Sequence, residues 1–128
     1  MPTYRLTSAA HLLGVSDDTV RRWADSGRLT TTVDDDGRRV VAGADLAAFA
    51  VAFAGDPDGP LATSARNSFP GIVTRVLRGD VVSQVEIQAG QHRLVSLLST
   101  EAVDDLGLEP GVLATASIKS THVVLELP

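Results

Sequence analysis

The spacing of the apolar residues changes once along this chain of 128 residues, near its middle. Up to residue 54 the apolar positions recur three and four residues apart, which is the spacing of one face of an α-helix. Beyond residue 63 they alternate with polar positions, which is typical of β-strands. Residues 55–63 hold two prolines and two glycines and predict a linker. The pattern therefore predicts two small domains, over residues 1–54 and 64–128.

The first half predicts a helix-turn-helix arrangement followed by a hairpin and a third helix. The first helix has one apolar face, and Gly14 interrupts it. Ser16 is a favourable N-cap for the second helix, which Gly27 ends. Two β-prone segments on either side of an Asp-Gly turn predict the hairpin, or wing. The defining positions are Leu6, Ala9, Ala10 and Leu13 for the first helix, residues 29–33 and 38–41 for the hairpin, and Leu46, Phe49, Ala50 and Phe53 for the third helix.

The second half predicts a small β-barrel. Short alternating segments separated by turns predict five strands, and one short helix, stopped by Gly107, is predicted at residues 100–106. The strands are expected at residues 72–77, 81–87, 93–98, 112–118 and 123–127. Five short strands with one helix favour a closed or partly open barrel of the OB type. The predicted fold class is therefore α+β with two domains, a winged helix-turn-helix and an OB-like β-barrel with one short helix.

Charge and composition limit the classes of function. The formal net charge of −5 argues against a general polyanion binder. Residues 1–54 carry six arginines against seven aspartates, a balance of −1, so this half can still present a local basic face. The chain has no cysteine, which excludes disulfides and thiolate metal sites. The sequence shows neither a signal-peptide core nor a run of about 20 apolar residues, so a cytoplasmic protein without a membrane partner is expected.

No catalytic or metal-binding pattern stands out in the sequence. It shows no nucleophile paired with a base and no paired carboxylates, so an enzyme is not expected. His11, His92 and His122 lack the spacing of metal ligands, so no site for a metal cation is predicted. Two domains this small have thin cores, which oligomerisation would compensate.

Residues 4–53 resemble the winged helix-turn-helix heads of MerR and excisionase-like regulators. The resemblance rests on residues 4–10, 14–16, 19–23 and 27–29. In such a head the N-terminal part of the second helix faces the major groove of DNA, where arginine can bind guanine and serine or threonine can hold phosphate. The expected DNA-contacting residues are Ser16, Asp17, Thr19, Arg21 and Arg22 in the helix, with Arg38 and Arg39 in the wing.

Two other interpretations of this half stay open. The second helix can be an ordinary solvated amphipathic helix, or the head can bind a protein instead of DNA. Three aspartates at the wing tip, residues 34–36, would repel phosphate. The tip itself is therefore expected to point away from DNA.

Residues 62–128 resemble the molybdate- and tungstate-binding domain of molbindins and of molybdate-responsive regulators. The resemblance rests on residues 64–67 (Ser-Ala-Arg-Asn), 106–111 (Leu-Gly-Leu-Glu-Pro-Gly) and 118–121 (Ile-Lys-Ser-Thr). It implies an oxyanion site whose ligands match Ser64, Ala65, Arg66, Lys119 and Ser120. Ser99 stands where the family has a ligating threonine, whereas Ala102 stands where it has a serine, so one hydroxyl is absent.

The chemistry of these residues agrees with that resemblance. A tetrahedral dianion needs several convergent donors, and the matched residues offer two hydroxyls, a guanidinium, an ammonium and the backbone N–H groups of Ala65, Arg66 and Asn67. Lys119 is the only lysine, beside ten arginines. The alternative is that residues 64–67 merely begin a barrel and that Lys119 is a solvated strand end.

The combined expectation is a transcription regulator whose DNA binding responds to molybdate or tungstate, with the oxyanion as ligand and no organic cofactor. Because the family's sites lie between subunits, the resemblance implies a homo-oligomer of at least two copies, with a hexamer, as in single-domain molbindins, as one alternative. Two alternatives are an oxyanion buffer or storage protein whose head no longer reads DNA, and a constitutive DNA-binding or architectural protein whose β-domain only oligomerises.

Overall fold

The chain folds into two compact units, Met1–Asp58 and Gly59–Pro128. A computed structural model of the protein describes residues 2–55 and 62–128, so most of the predicted linker at residues 55–63 lies outside the described residues. The helices are α1 (Leu6–Leu13), α2 (Asp17–Asp25), α3 (Gly43–Ala54) and α4 (Thr100–Leu106). The strands are β1 (Thr3–Arg5), β2 (Thr32–Val33), β3 (Arg39–Ala42), β4 (Asn67–Leu77), β5 (Val82–Ala89), β6 (His92–Ser99) and β7 (Leu113–Ile118).

The first unit is a helix-turn-helix with a small antiparallel sheet. Gly14 ends α1 at a φ of 71°, a left-handed conformation that glycine adopts without steric cost. Ser16 begins α2 as predicted, since its Oγ accepts the backbone N–H of Thr19 at 3.2 Å. The helices pack with β3 around a core of mostly small aliphatic side chains. This core consists of Ala9, Ala10, Val20, Leu29, Val41 and Leu46.

Strand β1 is the element of this unit that the apolar pattern does not predict. Its three residues are all exposed, so no alternation marks it in the sequence. It forms because its backbone pairs antiparallel with β3, with Tyr4 opposite Val41. Because β3 also pairs with β2, the sheet has the order β1-β3-β2, with the wing hairpin at one side.

The second unit is one curled antiparallel sheet, in the order β6-β5-β4-β7, with α4 packed against it. The sheet curls so far that residues of both edge strands, β6 and β7, line one apolar groove. Gly71 permits a close approach of β4 to β5, because a Cβ there would lie 2.6 Å from the carbonyl oxygen of Gln88. The core of this unit is formed by Val73, Val85, Ile87 and Val103. The result is an OB-like half-barrel with one short helix.

Helix α4 begins and ends where the sequence predicts it. Ser99 caps its start, and Gly107 ends it in the left-handed conformation at a φ of 64°. Thr100, at its first position, hydrogen-bonds the buried hydroxyl of Ser83 at 2.7 Å and the carbonyl of Gly79 at 2.8 Å. These contacts fix the helix to the turn between β4 and β5.

The predicted fifth strand, residues 123–127, is wrong. After β7 the chain forms a short 3-10 helix, Ser120–His122, and residues 123–128 follow as an exposed segment outside any strand. Leu125 and Leu127 are 90% and 94% exposed. A strand needs a neighbouring strand to satisfy its backbone groups, and the described part of the chain offers this segment none.

Candidate DNA-binding and oxyanion sites

All the predicted oxyanion ligands except Ser99 lie at or next to the paired ends of β4 and β7. The register of these strands places Asn67 opposite Ile118, and the Asn67 side chain donates a hydrogen bond from Nδ2 to the Ile118 carbonyl at 3.0 Å. Arg66 and Lys119 are the next residues along the two strands. The antiparallel pairing therefore sets the two sequence motifs side by side, although about fifty positions separate them in the chain.

The donors at this strand end are exposed and carry positive charge. Ser64, Arg66, Lys119 and Ser120 are all exposed. Within residues 62–128, no carboxylate forms an ion pair with Arg66 or Lys119. Two cations and two hydroxyls are thus available to a bound anion.

The backbone of residues 64–67 is less free than the sequence indicates. Ala65 is buried, and its N–H donates a hydrogen bond to Oγ1 of Thr63 at 3.2 Å. That donor is already used within the loop. Thr63 is not among the residues predicted from the sequence, although a hydroxyl two residues before a buried backbone N–H is a common turn partner.

Ser99 is not brought to this cluster by the contacts of the described residues. It ends β6, which pairs with β5, and its Oγ accepts the backbone N–H of Ala102 at 3.1 Å as the N-cap of α4. None of the hydrogen bonds within residues 62–128 joins it to Arg66 or Lys119. Ser99 therefore has a clear structural role as a helix cap. Its hydroxyl can be an oxyanion ligand at this cluster only if it comes from a second copy of the chain.

The predicted DNA-contacting residues of α2 form a small network at its start. The hydroxyls of Ser16 and Thr19 lie 2.9 Å apart, and Nη2 of Arg22 donates to Oγ1 of Thr19 at 3.3 Å. Asp17 occupies the first turn, where its charge suits the helix dipole. The network holds Arg22 on the exposed side of the helix.

The wing arginines are tied to α2. Nη1 of Arg39 donates to Oδ1 of Asp25 at 2.6 Å, which joins β3 to the last turn of α2. Arg21, Arg38 and Arg39 also line one pocket. Arg5, the N-cap residue of α1, and Thr7, in its first turn, line the same pocket, although neither is among the DNA-contacting residues predicted from the sequence.

One aspartate of the acidic wing tip has a structural role. Oδ1 of Asp34 accepts the backbone N–H groups of Asp36 at 2.9 Å and of Arg38 at 2.8 Å. This Asx-type turn shapes the hairpin that carries the wing arginines. At least one of the three aspartates is therefore used to build the wing.

Glu86 is a buried acidic residue that the sequence did not single out. It lies on β5, is 8% exposed, and accepts hydrogen bonds from Arg93 and, at 3.1 Å, from Nε2 of Gln84. The hydrogen bond from Arg93 lowers the pKa of Glu86 below its ordinary value, and burial only partly opposes this. The pair spans β5 and β6 and stiffens that edge of the half-barrel.

Residues 2–55 and 62–128 contain no cluster of three or more histidine, cysteine, aspartate or glutamate side chains that could hold a metal ion. None of the helices in this part of the chain is long and apolar enough to cross a membrane.

Taken together, the units define a class of protein, a winged helix-turn-helix followed by an OB-like half-barrel with cations and hydroxyls at one end of its sheet. A family model of the TOBE domain matches residues 63–125, and one of a helix-turn-helix domain matches residues 3–50.

Known proteins match the second unit. The chain is 38% identical to molybdenum-pterin-binding protein 3 of Clostridium pasteurianum over 66 residues. This matched region covers 51% of this chain and 97% of that protein. It is 42% identical over 64 residues to the molybdenum transport protein ModE of Herbaspirillum seropedicae, which covers 49% of this chain and 24% of that protein. A molybdate binding protein from Sporomusa ovata has a similar structure, with a TM-score of 0.51 and 27% identity over 52% of this chain and 100% of that one. The chain therefore belongs, through its TOBE domain, to the family of the molybdenum-pterin-binding proteins, and it carries a helix-turn-helix head.

Proposed function

We propose that this protein is a DNA-binding transcription regulator that senses molybdate or tungstate through its TOBE domain. The observation that carries the proposal is the pairing of β4 with β7, which sets the two cations Arg66 and Lys119 beside each other without a carboxylate partner among the described residues. Relatives with this domain include a molybdenum-pterin-binding protein and a molybdenum transport protein.

The ligand in this proposal is a tetrahedral dianion. Arg66 and Lys119 match its two negative charges, and the hydroxyls of Ser64 and Ser120 donate hydrogen bonds to its oxygens. Ala65 and Asn67 position the loop, the first by its burial and the second through its hydrogen bond to Ile118. The oxyanion is the only ligand proposed, and the proposal assigns no organic cofactor and no catalytic step.

A homo-oligomer is part of the same proposal. Single chains rarely expose large apolar surfaces, yet this unit exposes several large aliphatic side chains by more than four fifths. These are Leu113, Val124, Leu125 and Leu127. A second copy that covers them can also bring its own Ser99 to the cluster, which a single chain does not do by any described contact. We propose an assembly of at least two copies, with a hexamer as the larger alternative.

The head supplies the DNA contacts of the proposal. Arg21 and Arg22 lie on the exposed side of α2, with Ser16, Asp17 and Thr19 at its N-terminal turn. In a helix-turn-helix these positions face the major groove. Arg38 and Arg39 of the wing contact the sugar-phosphate backbone beside it. We also propose a cytoplasmic location, because one protein of similar structure, ModG, is a cytoplasmic molybdate-binding protein.

Coupling between the two ligands follows from linkage. The oxyanion must bind one arrangement of the assembly better than another, and DNA must prefer one of the same arrangements. If the oxyanion changes DNA affinity by some factor, then DNA changes oxyanion affinity by the same factor. The sign of this coupling decides whether the oxyanion strengthens or weakens DNA binding.

Calorimetric titration with molybdate, tungstate and sulfate tests the sensing half of the proposal. We expect molybdate and tungstate to bind and the smaller sulfate to bind at least about tenfold more weakly, a difference of about 1.4 kcal/mol. Light scattering before and after titration then reports the size of the assembly. A titration that shows no binding of either molybdate or tungstate would contradict the proposed sensing function.

A mobility shift at several salt concentrations tests the regulatory half. Sites selected from random duplexes by the protein serve as DNA, with and without molybdate. Real phosphate contacts weaken steeply as salt rises. Oxyanion binding without any DNA shift favours a storage protein, and DNA binding that is insensitive to molybdate favours an architectural one.

A further inference from the structure

Four of the six arginines in residues 1–54 converge on one pocket of the first unit. The pocket has a volume of about 330 Å³ and is open to solvent. Its arginines come from three places in the fold, namely the start of α1, the middle of α2 and the wing. Its lining consists of Arg5, Leu6, Thr7, Arg21, Arg38 and Arg39.

The charge of this pocket is poorly compensated by the chain itself. Arg39 pairs with Asp25, whose side chain is 69% exposed. Among residues 2–55 and 62–128, no carboxylate forms an ion pair with Arg5, Arg21 or Arg38. Like charges that converge repel one another, and a bound anion relieves that repulsion. No acidic residue is among those that line the pocket.

The start of α1 adds further donors to the arginines. Arg5 occupies the N-cap position, its side chain makes no capping hydrogen bond, and the first turn holds no acidic residue. The first backbone N–H groups of a helix lack partners within the helix and carry partial positive charge. The hydroxyl of Thr7 stands in the same turn. In contrast, α2 has both a capping serine, Ser16, and acidic residues in its first turn.

We infer that this pocket binds one phosphate of the DNA backbone, and that Arg5 and Thr7 are DNA-contacting residues. The inference rests on the proposed function, because it takes the DNA of the helix-turn-helix head as its ligand. An open pocket flanked by α2 and the wing lets the sugar-phosphate chain continue on both sides of the bound phosphate, which a closed cavity would not. Such a contact fixes the register of the head on DNA and carries no sequence information itself.

Fluorescence anisotropy with the full-length protein and a labelled random-sequence duplex tests the inference. Between about 50 and 200 mM KCl, we expect Arg5→Gln to lower the salt slope of log K by about 0.9, the value for one lost phosphate contact. At the lowest salt its affinity should fall about 5- to 10-fold. Arg5→Lys should keep the slope because it keeps the charge. Thr7→Val should weaken binding by about two- to threefold with the slope unchanged, because it removes only a neutral hydrogen bond.

Arg28→Gln is the matched control. It removes the same charge from the same unit, but Arg28 is not among the residues that line the pocket, and its guanidinium lies 5.2 Å from the ring centroid of Trp23. Thermal unfolding of each variant checks the fold, and Arg5→Lys and Thr7→Val decide the outcome if Arg5→Gln is unfolded.

The outcomes separate this inference from the proposed function. Equal slopes for Arg5→Gln and Arg28→Gln, with wild-type protein that binds DNA, would overturn the inference and leave the proposed function intact. Wild-type protein that binds no duplex at the lowest salt would end both. Titration with inorganic phosphate tests whether the pocket binds free phosphate instead of a phosphate of the DNA backbone. Tight binding of free phosphate that Arg5→Gln abolishes, with DNA affinity unchanged, would overturn the DNA contact.

Discussion

The two units differ in how much of an anion site a single chain completes. In the first unit, four arginines from three parts of one chain line one pocket, and the wing and α2 are held together by the pair between Arg39 and Asp25. In the second unit, Arg66 and Lys119 meet at one strand end while Ser99 is bound elsewhere as a helix cap. If the proposed sites are correct, the head can bind its anion as a single chain, whereas the TOBE domain needs a second copy to complete its site.

The apolar surfaces show the same difference. The first unit covers most of its large side chains, with Trp23 packed on Phe49 and Phe53 at ring-centroid distances of 5.1 and 5.2 Å. The second unit leaves the leucines of its C-terminal segment almost fully exposed. In the proposed regulator, assembly is therefore the step at which a bound oxyanion can change the spacing of the heads.

The largest expected effect comes from Leu125→Asp, which sets a charge on the exposed apolar segment. We expect the assembly to dissociate in light scattering, because an unpaired carboxylate in an apolar interface costs several kcal/mol. Oxyanion affinity should fall at least about 100-fold as the second copy is lost, a change of about 2.7 kcal/mol. The head of each separate chain should still bind random-sequence DNA, because Leu125 lies in the second unit.

Val51→Asp is the matched control for that variant. Val51 is 75% exposed, lies on α3 of the first unit, and receives the same substitution. Its assembly and oxyanion affinity should resemble the wild type. If Val51→Asp dissociates the assembly and Leu125→Asp does not, the division between a complete head and an incomplete TOBE domain is reversed.

The next effect in size is that of Lys119→Ala on oxyanion binding. Loss of one charged hydrogen bond to a dianion should weaken molybdate binding about 10- to 100-fold in calorimetry. Arg78→Ala removes a charge from the same unit, at an exposed pair with Asp104, and should leave the affinity nearly unchanged. An unchanged affinity for Lys119→Ala would remove this residue from the site and leave Arg66 as its only side-chain cation.

The sequence predicts the elements whose signals are local. Ser16 begins α2 and Gly107 ends α4, as predicted, because a capping hydroxyl and a left-handed glycine act on residues only a few positions away. Helix α4 is correct to the residue for the same reason. Strand β1 is missed because only its pairing with β3 makes it a strand. Residues 123–127 alternate like a strand but have no neighbour in the described part of the chain.

The site residues divide in the same way. Residues 64–67 and Lys119 are recognised as motifs, and the register of β4 and β7 then sets them together. Arg5 and Thr7 lie within the motif at residues 4–10, but their place beside the arginines of α2 and the wing is visible only in the folded unit. The convergence of distant residues on one pocket is the part of a site that needs a structure.

A smaller effect is expected for Arg21→Ala on DNA binding. We expect about tenfold weaker binding in a mobility shift, because a charged hydrogen bond to DNA is lost. Oxyanion affinity should be unchanged in calorimetry, since Arg21 belongs to the head. Lys119→Ala should show the opposite profile. Equal loss of both affinities in either variant would break the division of labour between the two units.

The smallest expected effect concerns two of the ion pairs, Arg39 with Asp25 in the first unit and Arg93 with Glu86 in the second. The first is exposed, so Asp25→Asn should change stability little. The second involves a buried carboxylate whose pKa is lowered, chiefly by the hydrogen bond from Arg93. A lowered folded-state pKa contributes stability that is present above the ordinary value near 4.5 and is lost as the pH falls through the folded value.

Glu86→Gln removes that titration while keeping the shape of the side chain. We expect the wild type to be the more stable protein at neutral pH, and the difference in thermal midpoint to shrink as the pH falls below about 4.5. The difference for Asp25→Asn should stay close to zero at every pH. A gap between wild type and Glu86→Gln that stays constant from neutral to acidic pH would mean that the stability of the second unit does not depend on the ionised form of Glu86.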